Sequence, residues 1–250
     1  MGRISIDISQ PGDNRLKVAI PDFKNLSAEE ESPELAVELP KVMANDLDLS
    51  GYFLPMDKKA FLDGDGAGIT IENINFRNWT LIGADLLIKG AYTAIGSNIE
   101  VEIRAYDPFE GKQLFGKRYL EKAADYRLLM HRAGNDIFLK LTGHKGMFLS
   151  KFLFDNNGSG NKEIYVCDFD GHNPKKITDE KGIAQFPRWA PDGNGFAFTL
   201  NRDGRFMLYH MDIATGGLKR LSDKEGFSAR WHPDGGGIDL ALRDRGSSEI

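Results

Sequence analysis

The stretch Phe186-Pro187-Arg188-Trp189-Ala190-Pro191-Asp192-Gly193 returns as Ser228-Ala229-Arg230-Trp231-His232-Pro233-Asp234-Gly235, 42 residues later. Around it, Ile164-Tyr165-Val166-Cys167-Asp168 returns as Leu208-Tyr209-His210-Met211-Asp212, and Lys176-Ile177-Thr178-Asp179 as Arg220-Leu221-Ser222-Asp223, both shifted by 44. Ten positions separate Asp179 from Trp189 and eight separate Asp223 from Trp231, so the repeat slips in the loop before the tryptophan strand. A period in the low forties, with four short strands per unit, predicts β-propeller blades, each sheet stacking on its neighbours because one blade cannot bury both faces alone.

Each part of the repeat has a physical role. Trp189 and Trp231 fill the space between sheets, and Pro191-Asp192-Gly193 and Pro233-Asp234-Gly235 turn the chain back tightly. Phe196-Ala197-Phe198 and Ile238-Asp239-Leu240 begin the next strand. The pattern calls for a further strand at Ser248-Glu249-Ile250, matching Leu208 to Asp212, so the chain is expected to stop inside a blade. The first unit, from Lys151 to Thr178, has no tryptophan strand before it. About two blades over residues 146–250 are therefore expected, with the ring not closed and sheet edges left unpaired.

Residues 1–145 read differently, as an α/β domain built from a β-meander and helices. Leu16 to Ile20 is a buried strand ended by Pro21, and Pro40 to Leu49 a helix with Val42, Met43 and Leu47 on one face. Whether that helix begins earlier and passes through Pro40 is left open by the sequence. Leu86 to Ile95, Asn98 to Tyr106 and Lys112 to Leu120 alternate as three strands, broken at Gly96-Ser97 and at Asp107 to Gly111. A helix from Ala124 to Leu141, stopped by Thr142-Gly143, closes the domain. The fold class is thus α+β, an N-terminal α/β domain followed by incomplete propeller blades.

The chain has 250 residues, a net charge of −5 and one cysteine. The charge is spread without a basic run, which argues against a nucleic-acid partner, and no apolar stretch approaches the ~20 residues of a membrane span. Cys167 lies in an apolar strand and reads as a buried, inert thiol. No Gly-x-Ser-x-Gly nucleophile elbow, phosphate loop or dinucleotide fingerprint occurs. Asp63-Gly64-Asp65-Gly66-Ala67-Gly68 is a poor calcium loop, with Ala67 at its fifth position and Ile74 at its twelfth. His131, His144, His172, His210 and His232 show no metal spacing. No catalytic residue, cofactor or metal is expected.

With these residues in view, the chain resembles the TolB family of the Tol-Pal cell-envelope system. The resemblance rests on the Arg3 to Ile8 strand, Val18-Ala19-Ile20-Pro21-Asp22-Phe23, Asp46 to Phe53, Gly83-Ala84-Asp85 and Leu141 to Gly146, together with the two blade motifs. It implies a periplasmic scaffold that catalyses no reaction and supports outer-membrane integrity and cell division. Its propeller would bind the lipoprotein Pal and its extreme N-terminus TolA, with colicins and other envelope proteins as further partners.

The TolA segment maps to Arg3, Ile4, Ser5, Ile6, Asp7 and Ile8, whose alternation suits a strand adding to a partner's edge. Pairing of the same strand within its own domain is the equal alternative. For Pal, the loops before the tryptophan strands are the candidates, Gly182, Ile183, Ala184 and Gln185 with Glu225, Gly226, Phe227 and Ser228. Blade motifs alone also occur in prolyl-oligopeptidase propellers, so a serine hydrolase without its catalytic domain is the alternative function.

Overall fold

The computed structural model describes residues 15–27, 31–62, 68–244 and 247–249. The chain divides into two compact units, one up to Leu149 and one from Ser150 onward.

The first unit contains β1 (Leu16–Ala19), β2 (Lys24–Asn25), α1 (Leu35–Leu49), β3 (Phe53–Pro55), α2 (Phe76–Leu81), β4 (Leu86–Ile95), β5 (Asn98–Asp107), β6 (Lys112–Lys122) and α3 (Tyr126–Thr142). Its sheet has the order β3-β1-β4-β5-β6, with β2 also on β4. The expected meander is present as the antiparallel run β4-β5-β6, while β1 lies parallel to both β3 and β4. Alternation along β5 sends Ile99, Val101, Ile103 and Ala105, all with no exposure, toward the helices. On the opposite face Trp79 packs with Ala19, Leu87 and Tyr106.

Helix α1 does pass through Pro40. A proline inside a helix leaves the carbonyl four residues earlier without its donor. That carbonyl belongs to Ala36, and the backbone N–H of Phe23 donates to it at 2.8 Å. The helix tolerates Pro40 because the loop after β1 supplies the missing donor. Helix α3 ends at Gly143, whose φ of 76° provides the left-handed cap. Beyond it, Phe148 is buried, its N–H donates to Asn135 Oδ1 at 3.1 Å, and its ring lies so close to Gly134 that a Cβ there would sit 2.9 Å away. Pinning Phe148 onto α3 carries the first unit to Leu149, where sequence reading put the boundary at 145.

The second unit contains β7 (Lys151–Ser159), β8 (Asn161–Asp168), β9 (Lys175–Lys176), β10 (Ile183–Trp189), β11 (Gly195–Arg202), β12 (Arg205–Asp212), β13 (Leu218–Arg220), β14 (Gly226–Trp231), β15 (Ile238–Asp244) and β16 (Ser247–Glu249). These form three sheets, β7-β8-β9, β10-β11-β12-β13 and β14-β15-β16, so the expected count of about two blades becomes one four-stranded sheet between two of three strands. Among the described residues no strand precedes β7 in its sheet, in keeping with the repeat.

Sheets stack through alternate residues. Phe196, Phe198, Leu200 and Met211 of the middle sheet pack with Leu153 and Ile164 of the first, and Ala197 and Leu208 pack with Ala229, Trp231, Leu240 and Leu242 of the third. The Asp203-Gly204 pair between β11 and β12 takes φ of 52° and 81°, the double positive φ that a type I′ hairpin requires.

Candidate protein-binding surface

The inner strands β10 and β14 are each fixed by the same turn. Gly193 N–H donates to Ala190 O at 2.9 Å and Asn194 N–H to Asp192 Oδ1 at 3.0 Å. The copy is close, since Gly235 N–H donates to His232 O and Gly236 N–H to Asp234 Oδ1, both at 2.9 Å. Gly193 and Gly235 take φ of 71° and 74°, a conformation that only glycine adopts without strain. Asp192 and Asp234 thus each accept a backbone N–H that holds its turn.

The two tryptophans differ. Trp189 Nε1 donates to the carbonyl of Lys151 at 3.2 Å, across to the first sheet. By the repeat, the acceptor for Trp231 would be Gly195 O, but that oxygen already accepts from Ala190 N–H at 2.9 Å. The Trp231 indole N–H is buried without a hydrogen-bond partner among the described residues, and His210 meets its ring edge-on at 5.8 Å.

The residues expected in loops before these tryptophans lie mostly in strands. Ile183, Ala184 and Gln185 pair in β10 with Asn201, Leu200 and Thr199, leaving only Gly182 outside it. Gly226, Phe227 and Ser228 belong to β14, leaving only Glu225 outside. Ala184 is fully buried in the core between sheets, and Phe227 gives its carbonyl to Thr199 Oγ1 at 2.9 Å and its ring to Phe206 at 5.4 Å. The rim assignment failed as a loop assignment because the strand starts earlier than the Trp-centred motif suggests. Ile183, Gln185 and Ser228 still reach solvent at least in part.

Sequence reading missed Phe186. A β-bulge between Gln185 and Arg188 gives it a φ of 58°, and its side chain is 48% exposed. A bulky residue held at positive φ costs of order 1–3 kcal/mol and concentrates at sites where the strain is used. With Ile183 and Arg188, also exposed, it makes an apolar and cationic row along the first strand of the middle sheet. No local signal announces a bulge at Phe-Pro, so only the pairing register shows it.

The segments Arg3 to Ile8 and Asp63 to Ala67 lie outside the described residues. Cys167 is buried in β8, and burial pushes its thiol pKa up, in keeping with an inert thiol. Of the histidines, His232 lies 3.1 Å from Asp239, His172 lies 3.4 Å from Asp170, and His144 is exposed. His131 is buried with its Nδ1 2.7 Å from Asp46 Oδ2, joining α3 to α1. Those two residues are 85 apart in the chain, which no spacing rule reaches.

Residues 4–114 match the model of the TolB amino-terminal domain, and residues 138–250 match that of the TolB beta propeller domain. The chain belongs to the TolB family. Among its relatives, the Tol-Pal system protein TolB of Desulfosudis oleivorans is 34% identical over 248 residues, covering 98% of this chain and 56% of that protein. The protein of the same name in Syntrophotalea carbinolica is 36% identical over 189 residues, covering 75% and 44%. The chain thus spans about half the length of the curated TolB relatives it matches. The crystal structure of TolB from Acinetobacter baumannii shares the fold, with a TM-score of 0.62 at 21% identity over 99% of this chain and 74% of that one. Among the described residues no helix is long and apolar enough to cross a membrane.

Proposed function

We propose that the chain is a periplasmic protein-binding scaffold of the Tol-Pal system that performs no catalysis, engaging Pal through its propeller and TolA through Arg3 to Ile8. The observation that carries the reading is the tandem match of both TolB domains to one chain whose relatives bear the name Tol-Pal system protein TolB. The exposed row Ile183, Phe186 and Arg188 supports a protein ligand, since aromatic and arginine side chains carry much of the energy of protein interfaces. A role in outer-membrane integrity and division follows from such a scaffold.

Calorimetry of the chain with Pal and with the C-terminal domain of TolA tests this. Deleting Arg3 to Ile8 is expected to remove TolA binding and to leave Pal binding intact. Replacement of Phe186 by glycine is expected to weaken Pal binding at least tenfold. Failure of both partners to bind the intact chain would overturn the reading.

A further inference from the structure

The sheet of the N-terminal unit treats its two edges differently. At one edge β3 has 3 residues and ends in Pro55, which has no N–H to offer a neighbour. At the other, β6 has 11 residues and no proline, and among the described residues no strand pairs with its outer side. A long, unpaired edge is a template for a further strand.

A groove of ≈ 410 Å³ lies along that edge, lined by Lys117 and Tyr119 of β6, Arg132, Asp136 and Leu139 of α3, and Leu149. Lys117 Nζ and Tyr119 Oη both donate to Asp136 Oδ2 at 2.7 Å, so these two β6 side chains point to the helix side of the sheet. A strand added to β6 would send every second side chain to the same side, into the groove. Leu139 and Leu149 are 45% and 46% exposed there and offer apolar contact.

The surroundings are cationic. Along β6, Lys112, Lys117, Arg118 and Lys122 stand against Glu121 as the only acid, and Arg132 and Lys145 lie beyond, in a chain of net charge −5. Arg118 pairs with Glu102, Arg132 with Glu121 and Lys117 with Asp136, leaving Lys112, Lys122 and Lys145 without an ion pair among the described residues. Edge lysines also deter pairing between like edges, but that role needs no apolar groove beside them.

We propose that β6 is a docking edge for an extended acidic segment of a partner protein, its backbone pairing with β6 and its alternate apolar side chains entering the groove. This docking would be independent of the Tol-Pal reading above, since it uses neither the propeller nor the N-terminal strand.

The test is an NMR titration of the intact chain with a short peptide alternating glutamate and valine. Amide shifts in Lys112 to Lys122 and around Leu139 are expected, with affinity falling as salt is raised. A peptide alternating lysine and valine, and a glutamate–valine peptide methylated at alternate backbone nitrogens, should each bind at least tenfold more weakly. Leu139→Glu should weaken binding tenfold or more, while Leu128→Glu, at another exposed position on α3, should leave it unchanged. No binding, equal binding of either control peptide, shifts confined to other strands, or equal effects of the two variants would overturn the proposal.

Discussion

Phe152 and Phe196 occupy the same place in the propeller repeat, yet Phe152 is 53% exposed and Phe196 has no exposure at all. The residues are identical, and so is the strand position. What differs is the neighbour, because the first sheet covers the middle one while no strand precedes β7 in its own sheet among the described residues. Burial in a stacked-sheet architecture is therefore set by the next sheet rather than by the side chain itself. The N-terminal unit has no such dependence, because α1 and α3 cover one face of its own sheet and Trp79 packs into the other.

The sharpest way to break this comparison is truncation of both phenylalanines. Phe196→Ala is expected to cost about 3–5 kcal/mol and Phe152→Ala less than about 1 kcal/mol. Hydrogen exchange of β11 and β12 amides in each variant would read the difference. Equal costs would mean that the two sheets are covered alike.

The tryptophan pair is a finer version of the same test. Trp189→Phe removes the bond to Lys151 O and should cost about 1 kcal/mol. Trp231→Phe removes a buried N–H that has no hydrogen-bond partner among the described residues and should be neutral or slightly stabilising. Urea unfolding followed by circular dichroism separates the two, and matched losses would show that the indole contact carries no energy.

At Phe186 the expected sign is reversed. Replacing it by glycine relieves the positive φ and loses little burial, so a gain of roughly 0.5–1 kcal/mol is expected, opposite in sign to the weaker Pal binding that the proposed function predicts. A destabilised glycine variant would show that the side chain packs rather than projects.

The smallest effect belongs to the N-terminal unit. Burial raises the Glu102 carboxyl, but hydrogen bonds and charge from Arg104 and Arg118 outweigh it and hold the pKa below its ordinary value. A lowered folded-state pKa contributes stability above the unfolded value, which is lost as pH falls through the folded one. Glu102→Gln should therefore cost about 0.5–1 kcal/mol at neutral pH, and the two proteins should converge in acid below the folded-state pKa. A difference that persists unchanged into acid would rule out the charge as its source.

Much of this was legible without coordinates. The meander, helix α3 with its Gly143 cap and the two Pro-Asp-Gly turns all follow from periodicity, turn chemistry and the repeat. The limits of the reading have a common form. The passage of α1 through Pro40 depends on Phe23 N–H, and the extension of the first unit to Leu149 depends on Asn135 and Gly134. The exposure of Phe186 depends on where β10 slips against β11.

By itself the sequence determined the local elements and the architecture, because turn residues and side-chain alternation act over a few positions and a repeat copies them. Only the tertiary structure decided which partner each group found. The Asp46–His131 contact, the different fates of Trp189 and Trp231, and the groove beside β6 are set by segments far apart in the chain. Spacing records what a residue offers, whereas the packing of distant backbone decides what it meets.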